Sequence, residues 1–151
     1  MSSQPRERAS GKYAPTPHSA PEVRLGPTRD QPTEKEIAET LANITEAYGD
    51  IERIRKAGSD AFFVIDSLLP LAAIGALVRL GEQANNLGRQ FVARHPGPEY
   101  DRAIETRHYL AHKFEVNNHI LWQTIAVSTK RSAMAHQDVH DKVMGRMTAD
   151  G

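Results

Sequence analysis

The sequence predicts an all-α protein, an up-and-down bundle of four or five helices. Apolar residues recur at helical spacing wherever they are dense, Gly, Pro and Asn separate these runs, and no stretch alternates at strand period or repeats internally. The first helix opens at Thr33, where T-x-x-E (Thr33, Glu36) forms a capping box, each side chain satisfying a backbone N–H. Ile37, Leu41, Ile44, Tyr48 and Ile51 then form one stripe, and the helix ends near Ala57-Gly58.

Ser59-Asp60 opens the next segment, AFFVIDSLLP, which is apolar enough to be buried, and Pro70 breaks or restarts the helix. A long helix follows with Leu77, Leu80, Ala84, Leu87 and Phe91 at heptad-like spacing. On its second face Gly81 and Gly88 would admit a neighbouring helix closely. His95-Pro-Gly-Pro98 ends it, and a third long helix begins near Pro98 and runs to about Phe114. Asn117-Asn118 caps a fourth, HILWQTIAVSTK, and Val139, Val143 and Met147 suggest a short terminal helix.

Residues 1–32 hold six of the nine prolines and no Phe, Trp or Ile, so they cannot bury enough surface to offset ordering entropy. The expected organisation is a disordered arm over 1–32, a helical domain over 33–130, and a short helix or tail over 131–151. Nineteen Lys+Arg balance nineteen Asp+Glu, so a polyanion would have to be met by a local patch. Without cysteine there are no disulfides, thiolate chemistry or Cys-based zinc sites. MSSQPRERAS lacks the apolar run of a signal peptide, and Asp66, Ser67, Pro70 and Arg79 interrupt the most apolar stretch. A soluble cytoplasmic protein with no membrane contact is expected.

The stretch ETRHYLAHKFEV (105–116) concentrates polar rings in a chain with seven histidines and one tryptophan. At about 100° per residue, Tyr100, Ala103, Ile104, Leu110, Ala111 and Phe114 fall within roughly 60° of Arg107. The guanidinium therefore sits in an apolar stripe, where an unpaired charge is prohibitive. Two readings are open: an internal pair with Glu82 or Asp66, or a place at an interface between protomers. His108 and His112 lie together on the flank with Asp101 and Glu105, His112 about 140° from Arg107.

RHYLAHKF resembles the R-x4-H-x-Y motif of the HepT-like family of HEPN proteins, through Arg107, His108, His112 and the aromatic Phe114. LVRLGEQANNLGRQF, with Glu82, and FEVNNHILWQTI, with Trp122, are similar to the segments on either side. The resemblance covers roughly residues 35–127. It implies an all-helical homodimer whose motifs meet in a cleft at the interface, and a metal-independent endoribonuclease acting as a toxin, with no cofactor. RNA is the implied substrate and an MNT-type nucleotidyltransferase the implied antitoxin. His112 would act as general acid or base, Arg107 would stabilise the phosphorane, and His108 would orient the partner histidine or bind phosphate. The family's motif ends in a tyrosine that the antitoxin adenylylates. Phe114 has no hydroxyl, which leaves inhibition by binding, and leaves as an alternative a catalytically silent dimer that binds RNA or the nucleotidyltransferase.

Other constellations are weaker. His136-x3-His140, near Asp138 and Asp141, has a spacing that can hold zinc or nickel, yet it has no clear third ligand and reads as polar side chains on the surface, without metal. Lys130, Arg131, Lys142 and Arg146 read as a solvated face rather than a phosphate patch. Trp122 could stack a base, but its apolar neighbours favour a place in the core.

Overall fold

The computed structural model describes residues 32–112 and 115–150. They are all helical or loop: α1 (Glu34–Ala57), α2 (Ser59–Phe62), α3 (Leu69–Asn85), α4 (Arg89–Arg94), α5 (Tyr100–His112), α6 (Asn118–Gln123), a π-helical turn (Thr124–Ser128) and α7 (Thr129–Asp150). Helix α3 packs between α1 and α5, and α7 packs on α1, giving the up-and-down bundle. The arm expected over 1–32 lies, Pro32 apart, outside the described residues.

Helix α1 starts and stops where its sequence directs. Thr33 Oγ1 accepts from Glu36 N–H at 3.1 Å, Glu36 Oε1 accepts from Thr33 N–H at 2.9 Å, and Gly58 takes the C-cap at φ 94°. Leu41, Ile44, Tyr48 and Ile51 are buried. Pro70 sits in the first turn of α3, where its missing N–H costs nothing. Asn117 caps α6, its Oδ1 accepting from His119 and Ile120 N–H.

Four expectations need correction. The segment AFFVIDSLLP is not buried: Phe62 is, but Phe63, Val64, Ile65 and Leu68 are exposed, as is Leu71 beyond it. The long helix through Phe91 is two. Asn86 N–H is shared between the Glu82 and Gln83 carbonyls, Leu87 N–H tightens onto Ala84, and Gly88 at φ 88° turns the chain into α4. Leu87 and Phe91 stay buried across this turn, which is why their spacing resembled a continuous stripe.

The terminal helix is not short, for α7 spans 22 residues. Its buried stripe is Thr129, Ser132, His136, Val139 and Val143, at helical spacing but polar in its first half. His136, the fourth correction, is 1% exposed rather than on the surface. Each polar group finds a partner there. Thr45 Oγ1 gives its proton to the Leu41 carbonyl at 3.1 Å, so it accepts from His136 Nε2–H at 2.9 Å. His136 Nδ1 is then the acceptor and Tyr100 Oη–H donates to it at 2.8 Å, while Tyr48 Oη–H donates to Ser132 Oγ at 3.1 Å. A neutral imidazole thereby ties α1, α5 and α7 together. Burial, with His140 nearby, depresses its pKa to about 4.

Candidate functional site

Helix α5 carries the motif, and a glycine sets how it lies on α3. A β-carbon on Gly81 would fall 2.4 Å from Arg107 Cβ and 2.6 Å from the Ala103 carbonyl oxygen, so the two backbones touch here only because Gly81 has no side chain. The contact holds Arg107 at the lip of the α3–α5 seam, its side chain 34% exposed.

Arg107 is incompletely satisfied there. Its Nη2 stands 3.7 Å from Glu82 Oε2, beyond hydrogen-bond range, and Glu82 is 51% exposed. Among the described residues its Nε is buried with no hydrogen-bond partner. Asp66, the other carboxylate the sequence offers, sits in the loop before α3 with φ 66° and is exposed. The internal ion pair with Glu82 is therefore present but loose, and the guanidinium keeps hydrogen-bond donors for a further acceptor.

His108 and His112 stack, with ring centroids 6.0 Å apart and planes 9° from parallel. His108 is half-buried and His112 exposed. His112 Nδ1 lies 2.8 Å from the His108 carbonyl oxygen, which can only accept, so the neutral ring carries its proton on Nδ1. Nε2 is left with its lone pair and the ring is fixed in direction, as a proton acceptor requires. Phe114, at the tyrosine position of the motif, lies outside the described residues.

The seam beside Arg107 is open. Ala111, about 40° from Arg107 around α5, is exposed. Across it α3 presents Leu71, Gly75 and Glu82 exposed and Ile74 and Val78 half-buried, continuing into Leu68, 76% exposed, and Ile65, 86% exposed. The apolar strap 63–71 is a surface although its composition matches that of a core segment.

The remaining candidates take structural places. Trp122 packs on Phe62 at 5.0 Å between ring centroids and against the core. His136 has both ring nitrogens engaged, and among the described residues no three His, Cys, Asp or Glu side chains are grouped to hold a metal ion. Lys130, Arg131, Lys142 and Arg146 are exposed along α7, spread over about 24 Å, too far for one phosphate. No helix among the described residues is long and apolar enough to cross a membrane.

Arg107 and His112 thus lie five residues apart on α5, within an all-helical bundle. Residues 44–132 match the Ribonuclease HepT-like family, and the chain belongs to it. No curated protein and no solved structure matches the chain.

Proposed function

We propose that the protein is a metal-independent endoribonuclease, with a composite site formed where the α3–α5 seams of two copies meet. The observation that carries this reading is Arg107, a half-buried guanidinium that forms an ion pair with Glu82 at 3.7 Å through Nη2 without a hydrogen bond, while its buried Nε has no hydrogen-bond partner among the described residues. A guanidinium at such a partly open seam has donors available to an anion or to a second chain. The exposed apolar face around it, from Ile65 to Val78, suits a second chain.

The chemistry follows from the two groups. His112 Nε2 takes the proton of a ribose 2′-hydroxyl, the 2′-oxygen attacks the adjacent phosphorus, and the bond to the 5′-oxygen breaks. The products are a 2′,3′-cyclic phosphate and a 5′-hydroxyl, the leaving oxygen taking its proton from a protonated histidine supplied by the second copy. Arg107 donates to the phosphoryl oxygens as charge builds on the phosphorane. His108, stacked under His112, holds that ring's orientation.

Within this reading the protein is the toxin of a toxin–antitoxin pair, held in check by a nucleotidyltransferase-type antitoxin. With phenylalanine at 114, inhibition would rest on binding rather than on modification there. The decisive experiment incubates purified protein with RNA at neutral pH in EDTA, beside Arg107→Ala and His112→Ala. Cleavage by the parent alone supports the proposal. RNA bound but uncut, with affinity indifferent to His112, would instead favour a silent regulatory dimer, the reading that the missing tyrosine hydroxyl keeps open.

A further inference from the structure

On the other flank of α5 from Arg107 lies a hollow of about 410 Å³ between α5 and α6. Its floor is Leu77, Leu110 and Leu121, and its rim carries Arg102, Glu105 and Tyr109. The volume falls within the roughly 300–1,000 Å³ of small-molecule sites. Thr106 and Thr124 also line it. Each gives its hydroxyl proton to a carbonyl of its own helix, those of Arg102 and Ile120, and so offers lone pairs to a ligand.

From the hollow and its rim we infer a base-recognition site that takes one guanine of the RNA, so the inference rests on the ribonuclease reading above. Three features choose this occupant. Tyr109 is 41% exposed at the rim, an aromatic face of the kind that splayed-out RNA bases stack on. It lies three residues before His112, about 4.5 Å along the axis, so a base stacked on it lies within one nucleotide's reach of the histidine pair. Arg102 and Glu105 are neighbours one turn apart on the same rim, both exposed.

That pair reads guanine edges. A carboxylate accepts two adjacent donors, which guanine alone presents as N1–H and N2–H₂. Adenine sets its N1 acceptor against the carboxylate, cytosine its N3, and uracil offers one donor between two carbonyls. A guanidinium meets guanine at O6 and N7, the commonest arginine contact to a base.

The test titrates the full chain with 3′-GMP, 3′-AMP, 3′-CMP and 3′-UMP, by calorimetry and by amide chemical shifts. The expected result is 3′-GMP bound at least fivefold tighter than the others, with shifts at Tyr109, Leu121 and Thr124. Glu105→Ala, a surface change, should bring 3′-GMP to within twofold of 3′-AMP without altering helical content. Four equal affinities, an unchanged preference in Glu105→Ala, or shifts in the hollow only on self-association would overturn the inference. Binding is read without turnover, which separates the two claims. Selective 3′-GMP binding by a protein that cuts no RNA would sink the ribonuclease and spare the site, and cleavage indifferent to base would do the reverse.

Discussion

Gly81 lies directly beneath Arg107: the β-carbon it lacks would stand 2.4 Å from Arg107 Cβ, with the Ala103 carbonyl oxygen only 2.6 Å away. The second neighbour is backbone, so no rotamer change relieves the clash and α5 must move as a body. Gly81→Ala is expected to destabilise the fold by about 1–3 kcal/mol, as overpacking does, despite alanine's better helix propensity. Because the displaced helix carries Arg107, RNA cleavage should fall further than the folded fraction. Urea unfolding beside a cleavage assay checks this, and a stabilised, fully active variant would show that the contact is not limiting.

Arg107 and His112 are expected to fail in different ways. Arg107→Lys keeps the charge but loses the planar fork that, in the proposed site, would meet two phosphoryl oxygens, so cleavage should drop by about 10²-fold, nearly as far as in Arg107→Ala. His112→Ala should cost about 10²–10⁴-fold, the range for a lost general acid or base. Glu82 stands 3.7 Å from Arg107 and is half exposed, so Glu82→Gln should cost under about tenfold. Single-turnover rates on one RNA substrate rank the four, and a Glu82 variant as impaired as Arg107→Ala would assign the carboxylate a larger part than orientation.

How much of this was legible beforehand depends on which residues lined each stripe. Helix α1 was readable from Thr33 to Gly58, because its box, stripe and stop are local signals. Helix α7 was not, because Thr129, Ser132 and His136 occupy inward positions that hydropathy counts as outward. Only tertiary partners, Thr45 and Tyr100 for His136, make those positions affordable. The strap 63–71 misled in the opposite direction, apolar in sequence and exposed in the fold. In the candidate site, wheel arithmetic placed Arg107 in an apolar stripe and His112 off it. What the sequence does not carry is the Gly81 contact, the Arg107 Nε left without a partner among the described residues, and the hydrogen bond that aims His112 Nδ1 at the His108 carbonyl.

The same buried histidine makes stability depend on pH. His136 binds its proton with a pKa near 4 in the fold against an ordinary 6.5, so as pH falls the unfolded chain takes up the proton first. The contribution is intact above about pH 6.5, is lost progressively down to about pH 4, and is constant below that. The loss amounts to about 3 kcal/mol, at ~1.36 kcal/mol per tenfold in proton affinity. By pH 5 about 2 kcal/mol of it is already lost, so unfolding free energies from urea titrations at pH 7 and pH 5 should differ by about that much, and the difference should shrink in a variant without His136. Tyr100→Phe removes the proton donated to Nδ1 and should cost about 1–3 kcal/mol, the penalty of a buried acceptor left unpaired.

The exposed strap supplies the remaining prediction. Leu68 and Leu71 are 76% and 69% exposed, so replacing both with aspartate removes little from the folded single chain, and its stability should change by under about 0.5 kcal/mol each. If the face between Ile65 and Val78 closes the composite site, each leucine is buried on association, with about 1.5–3 kcal/mol of transfer free energy. Placing aspartates there should weaken self-association by well over about tenfold per site. Sedimentation velocity should then find single chains where the parent sediments as a pair, with cleavage lost in parallel and partly regained at high protein concentration. Full activity in a strictly monomeric double variant would mean that one copy of Arg107 and His112 is enough, and the composite site would have to be given up.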